Sequence, residues 1–143
     1  MRPLQPGDAD AVLDLWNRAA PHDALTADLL AEKIWGDDDF DPDLAPVAVA
    51  DGTIAGFAVG VLRREVRRGY VKLLAVDPAR QRQGNGRALL GAVETGLARQ
   101  GARTIRLLES APNYLTPGID ERDESALAFA AASGYRAVGE ARN

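Results

Sequence analysis

The stretch from Tyr70 to Glu109 restricts the fold more than any other part of the chain. Its first seven residues, YVKLLAV, alternate as a strand, with Val71, Leu73 and Ala75 facing one way and Tyr70, Lys72, Leu74 and Val76 the other. Both sets are largely apolar, so the strand belongs at the centre of a sheet covered on both faces. A turn containing Gly84 and Gly86 follows, and then a helix predicted from about Arg87 to Gln100. In that helix Leu89, Val93 and Leu97 form a stripe at i+4 spacing, and Gly101 can end it. Thr104 to Glu109 is again strand-like. Strand, glycine turn, helix and strand make a βαβ unit, whose crossover sets the second strand parallel to the first in a right-handed sense.

The preceding residues add an antiparallel meander. Val47–Ala50 and Ile54–Leu62 flank Asp51-Gly52, a dipeptide suited to a tight hairpin turn, and an arginine-rich connection leads on to Tyr70. Two helices are predicted before the meander. Asp8 can cap the first, which carries Val12, Leu15, Trp16 and Ala19 on one face and ends before Pro21. Thr26 can cap the second, with Leu25 and Leu30 as a hydrophobic staple and Gly36 near its end. Trp16 and Trp35 are expected as helix-core residues. The segment DDDFDPD reads as an exposed acidic loop, without the aspartate spacing of a calcium-binding loop. A last helix is predicted over Asp123–Ser133, and a short strand near Arg136–Ala141. The expected class is α/β (α+β), a mixed, mostly antiparallel sheet with a central βαβ unit and helices on both faces.

With 143 residues and 46% hydrophobic content, the chain can bury one core, and a single domain over 1–143 is expected. No apolar run approaches the roughly 20 residues that a bilayer span requires, and the N-terminus lacks a secretory pattern, so a soluble, cytoplasmic protein is expected. There is no cysteine and one histidine, His22, which leaves little for a metal centre. The net charge of −4 argues against general nucleic-acid binding, but it is unevenly spread. Eight cations between Arg63 and Arg87 face only Glu65 and Asp77, a local +6, while the other nine cations and 19 acids leave −10. A positive site is expected in an acidic protein.

That site falls where strand gives way to helix. Glycines let backbone N–H groups approach an anion, and the unpaired amides of a helix's first turn add partial positive charge, so the turn suits a pyrophosphate. Two common phosphate loops fail here. A P-loop needs Lys and then Ser or Thr after its last glycine, where this chain has Arg87-Ala88; a dinucleotide fingerprint needs glycine at position 89, which is leucine. What remains is Gln81-x-x-Gly84-x-Gly86 following Leu74, Val76 and Pro78. In this order, and over nearly the whole chain, the sequence resembles the GNAT superfamily of acyl-CoA-dependent N-acyltransferases.

The resemblance implies acetyl-CoA as acyl donor and a small-molecule or peptide primary amine as acceptor, with no nucleic-acid or membrane partner. It implies that the backbone of Gln83, Gly84, Asn85, Gly86, Arg87 and Ala88 holds the pyrophosphate, with Gln81, Arg82 and Arg87 adding side chains. Leu74, Ala75 and Val76 would hydrogen-bond the pantetheine arm as though it were an extra strand, where the two parallel strands splay apart. Asn113 is either a further contact there or a turn former before Tyr114 and Pro117.

Direct attack by the amine requires an unprotonated nucleophile, a donor for the developing oxyanion and a proton for the departing thiolate. The resemblance implies that the N–H near Val76 is the oxyanion donor, freed by a bulge. Many relatives place a tyrosine on the last helix to protonate the thiolate, and the matching residue here is Ala130. Tyr114 could substitute, or pack structurally, with water as the other proton source. Glu109 is the candidate base or an exposed strand-end carboxylate, and Tyr70 and Lys72 occupy a stretch where some relatives place acid/base residues. Lys72 is expected as a phosphate or surface cation, and His22 as a loop residue bordering the acceptor side. The acidic loop could attract a cationic amine or simply be solvated. The absent helix tyrosine and the chain end at Asn143, one strand short of the family pattern, leave open a non-catalytic CoA-binding module, half of a tandem protein, or a homodimer that completes the sheet.

Overall fold

The computed structural model describes residues 1–107 and 124–135. Five strands form one open sheet in the order β1-β2-β3-β4-β5: Arg2–Pro3, Pro46–Ala50, Thr53–Arg63, Arg68–Val76 and Thr104–Leu107. All neighbours are antiparallel except β4 and β5, which run parallel as the crossover requires. Helices α1 (Ala9–Ala19) and α2 (Ala27–Ile34) pack with one face, while α3 (Asn85–Arg99) and α4 (Glu124–Ala132) contribute to the core on the other. No helix among the described residues is long and apolar enough to cross a membrane.

The meander forms as its sequence dictates. Asp51 and Gly52 take φ of +53° and +76°, the paired left-handed conformations of a tight hairpin turn. Thr26 caps α2 by accepting a hydrogen bond from the Leu29 amide, and Leu25 and Leu30 are both buried beside it. Asp8 behaves otherwise. It sits at the start of α1, but Pro6–Asp8 first closes a 3₁₀ turn, and its carboxylate accepts from the Gln5 amide and from both terminal nitrogens of Arg2 at 2.8 and 2.9 Å. These bonds hold its carboxyl below the ordinary 3.8. The two-residue strand β1, too short for any period to announce, pairs with β2 beside this turn.

One residue disturbs the expected alternation of β4. Val59 pairs with Leu73 but Gly60 pairs with Val71, so Lys72 is an extra residue in the ladder. The bulge reverses the facing beyond it: Leu73 and Ala75 join the α1/α2 core, whereas Val71 lies with Leu74 and Val76 on the α3 side. The irregularity falls at Lys72 rather than near Val76.

Lys72 is consequently neither a surface cation nor a phosphate contact. It is buried, and its ammonium donates to Asp37 at 2.7 Å. Asp37, just after α2, also takes both terminal nitrogens of Arg63 at 2.7 and 2.9 Å and the Asp39 amide at 2.9 Å. Burial alone would raise the Asp37 carboxyl, but these donors overcome it and bring its pKa down to about 2. Burial also lowers Lys72, and Asp37 offsets part of that shift. The acidic segment is thus partly folded inward. Asp37 and Asp39 hold Arg63, and Phe40 bridges to Val61 of β3.

On the opposite face α3 approaches the sheet closely, because three strand positions carry no side chain. A Cβ at Gly56 would meet Leu89 Cδ1 at 2.9 Å, one at Gly60 would overlap Val93 Cγ1, and one at Gly69 would meet Leu97 Cδ1 at 2.8 Å. The predicted stripe is therefore real and fully buried. Each of its three residues contributes about 1.5–3 kcal/mol by leaving water.

Candidate active-site cleft

Beyond β4 the chain makes a 3₁₀ turn, Pro78–Arg80, stabilised by the Asp77 carboxylate, which accepts from the Ala79 amide at 3.0 Å. The same oxygen accepts from Arg18 of α1 at 2.9 Å, and these partners hold the Asp77 carboxyl below its ordinary range. Arg82 and Gly84 then adopt left-handed φ of +65° and +83°, turning the chain into α3. With Gly84 as cap, the amides of Asn85, Gly86 and Arg87 have no partner within the helix, whereas that of Ala88 donates to the Gly84 carbonyl at 3.0 Å. Asn85 donates its side-chain amide to the Arg80 carbonyl at 3.4 Å, drawing the turn together. A Cβ on Gly86 would stand 3.6 Å from Phe129 of α4 and from Val76.

The turn forms one wall of a cleft of about 1010 Å³. Of the residues singled out from sequence, Leu74, Ala75, Val76, Gln81, Arg82, Gly84, Asn85, Gly86 and Arg87 line it together. Gln83 and Ala88 are exposed on the same turn but do not line it. Glu109, Asn113 and Tyr114 lie outside the described residues, as does the predicted strand near Arg136–Ala141. Ala130 is buried and lines the cleft, so a small side chain stands where the family pattern suggested a phenol. Tyr70 is buried, accepts a hydrogen bond from Arg68 at 3.4 Å, and does not line the cleft.

Sequence reasoning missed the facing wall. It comes from the end of α1 and the Pro21–Asp23 turn, including His22, which was placed only as bordering the acceptor side. It also missed the Arg18–Asp77 ion pair, which joins that wall to the start of the glycine turn across 59 residues of sequence. Nothing local signals such a pair. Phe129 of α4, to which the sequence reading assigned nothing, is a third omission.

The electrostatics favour an anion at the start of α3. Arg82 and Arg87 are exposed and form no ion pair with a described residue, whereas Arg80 meets Asp51 at 3.3 Å. Amides without a partner in the helix, the helix's positive end and two guanidinium groups unpaired among the described residues converge there. Gln81 reaches the Val76 carbonyl only at 3.5 Å, so its amide is weakly held. Beyond Val71, the last residue paired with β5, the edge of β4 from Lys72 to Val76 has no strand partner among the described residues on that side.

Comparison with solved structures places this arrangement. The ribosomal-protein-S18-alanine N-acetyltransferase from Escherichia coli superposes with a TM-score of 0.69 at 24% identity, covering 92% of this chain and 74% of that one. A glucosamine N-acetyltransferase region of a fungal multi-domain GH3 β-N-acetylglucosaminidase gives 0.78 at 27% identity, over 94% of this chain and 16% of that one. The aminoglycoside N-acetyltransferase AAC(6')-Iy in complex with CoA gives 0.73 at 16% identity, over 99% and 90%. No curated protein sequence matches the chain. The family model described as the acetyltransferase (GNAT) family matches residues 9–136. With that match spanning the strand, the glycine turn and the helices around the cleft, the chain belongs to the GNAT acetyltransferase family.

Proposed function

We propose that the protein transfers an acetyl group from acetyl-CoA to a primary amine. The observation that carries this reading is the Arg82–Arg87 turn, where three amides without a partner in the helix and two arginines unpaired among the described residues open on the same cleft as the edge of β4. Arg82, Arg87 and the amides of Asn85 to Arg87 would hold the pyrophosphate. The backbone of Leu74 to Val76 would align the pantetheine arm. Acetyl-CoA supplies the activated thioester, and the Val76 N–H is the donor for charge developing on its carbonyl oxygen. Loss of one such donor commonly costs about 3–4 kcal/mol of transition-state stabilisation.

Ala130 in the cleft wall favours a second reading, a CoA-binding module without turnover. Two measurements separate the readings. Thermal shift with acetyl-CoA, CoA and ATP tests recognition, since a ligand at about a hundred times its dissociation constant stabilises by about 2.7 kcal/mol. Release of free thiol with an amine panel tests transfer. Stabilisation by both CoA forms and thiol release with any amine support the enzyme; stabilisation without release supports the module. Absence of any shift with CoA would overturn both. Gly84→Val is the matching control. Its left-handed backbone disfavours a β-branched residue by about 1–2 kcal/mol, and the turn should lose CoA.

A further inference from the structure

The glycine turn is held in two different ways. From Asn85 onward it is the start of α3, fixed by a helix that rests on the sheet. Its first half, residues 78–83, contains only the Pro78–Arg80 3₁₀ turn, and the support for that half converges on Asp77. The Asp77 N–H donates to the Ala55 carbonyl of β3 at 2.8 Å, and the Asp77 carbonyl accepts from the Arg80 amide at 2.8 Å. One carboxylate oxygen, Oδ1, accepts both from the Ala79 amide at 3.0 Å and from Arg18 Nη1 at 2.9 Å. Arg18 stands on a firm base. Its Nε donates to Asp14 at 3.2 Å, the neighbouring Trp16 indole donates to the Asp23 carbonyl at 2.9 Å, and Asn17 exchanges two hydrogen bonds with the Leu25 backbone. Arg80, gripped at its amide by Asp77 and at its carbonyl by Asn85, leads directly into Gln81 and Arg82. The φ of +65° at Arg82 is one that a non-glycine residue holds only where its surroundings impose it.

We infer that Asp77 is a positioning residue for CoA: its carboxylate, oriented by Arg18, sets the half of the turn that presents Gln81 and Arg82 to the cofactor. The inference rests on reading the cleft as a CoA site, and it adds a residue that does not itself line that cleft. Charge and geometry act in opposite directions here. The field of a carboxylate near a phosphate site opposes the anion, so Asp77 favours binding only through where it places neighbouring donors. A guanidinium displaced by about 1 Å loses the alignment that a paired contact to phosphate needs.

The test is calorimetry with CoA on the full chain, in variants of balanced charge. Arg18→Met is combined with Asp77→Asn in one chain and with Asp77→Ala in another, so each loses one cation and one anion and the field over the turn is the same in both. Only Asp77→Asn keeps an Oδ1 acceptor for the Ala79 amide. The Asp77→Ala chain should bind CoA about tenfold more weakly than the Asp77→Asn chain. Arg82→Gln added to each should cost about tenfold beside Asp77→Asn and under about threefold beside Asp77→Ala, since a misplaced Arg82 has less to lose. Asp77→Glu alone keeps the charge and moves the oxygen by one methylene. It should weaken CoA by about fivefold, and it carries the test if the Asp77→Ala chain does not fold. Equal affinity in the two balanced chains, an Arg82→Gln loss of the same size in both, or native affinity in Asp77→Glu overturns the inference. A lower urea midpoint in the Asp77→Ala chain with unchanged CoA affinity also overturns it, leaving Asp77 a support of the fold alone. A wild-type chain that binds no CoA removes the cofactor reading and this inference with it; a wild type that binds, with balanced chains of equal affinity, removes the positioning role only.

Discussion

Replacing Asp37 with Asn should destabilise the protein by about 3–5 kcal/mol at pH 7, because it leaves the buried Lys72 ammonium facing Arg63 without its counter-ion. Arg63 keeps Asp39 at 2.8 Å, so most of the penalty falls on Lys72, whose side chain is fully buried. Deprotonation sets a ceiling. From the ordinary lysine value of 10.5, releasing the proton at pH 7 costs about 4.8 kcal/mol at 1.36 kcal/mol per pH unit. Urea unfolding followed by circular dichroism measures the loss, and Lys72→Met added to Asp37→Asn should restore much of it. The pH dependence provides an independent check. In the native protein Asp37 lies at about 2 against an ordinary 3.8, so its contribution, about 2.5 kcal/mol, is present above pH 3.8 and is lost as pH falls through 2. The single variant should lack that acid limb. It should instead gain stability from pH 7 to 10, since a buried lysine with a depressed pKa binds fewer protons folded than unfolded. A loss under 1 kcal/mol, or an acid limb identical to that of the wild type, would refute the assignment of Asp37 as the buried counter-ion.

Three further perturbations probe other parts of the molecule. Gly60→Ala drives a methyl into Val93 and toward the Leu44 carbonyl, and should cost about 1–3 kcal/mol in urea unfolding, with Val93→Ala in the same chain giving a less than additive loss. Arg82→Gln and Arg87→Gln should each weaken CoA binding about tenfold in calorimetry, worth about 1.4 kcal/mol, and should flatten its salt dependence; unchanged affinity in both would remove the phosphate role from these side chains. Thr26→Ala should lower stability by about 1 kcal/mol through loss of the cap on α2, with little effect on CoA binding; an unchanged denaturation midpoint would show the 3.2 Å bond to be idle.

The fold was legible wherever a local period or punctuation mark determined it. The Leu89, Val93 and Leu97 stripe, the Asp51-Gly52 turn and the Thr26 cap each encode their structure within a few residues, and each appears as read. Lys72 misled because alternation assigns faces on the assumption of an unbroken ladder, and a bulge is set by the partner strand rather than by the residue itself. Asp37 misled for a related reason. Seven residues dense in aspartate look solvated, yet two cations more than 20 residues away in sequence draw one of them inside. Asp8 stands where a cap was expected, but Arg2 lies within reach and takes the carboxylate. In the cleft, the turn that forms the α3 wall was readable because glycine spacing and charge coincide in one short stretch. The opposite wall was not, because alanines and a proline carry no signal of what they face.

The three glycines under α3 have a consequence for how the cleft can vary. With side chains from the helix resting on bare strand backbone, no compressible layer lies between them, so the height and tilt of the helix are fixed along its whole length. The amides at its first turn inherit that rigidity and present a grip of constant shape. The Ala19–Asp23 side is held by a separate device, the Trp16 and Asn17 hydrogen bonds to the chain that follows α1, so the α3 side acts as the fixed jaw of a vice whatever happens opposite it.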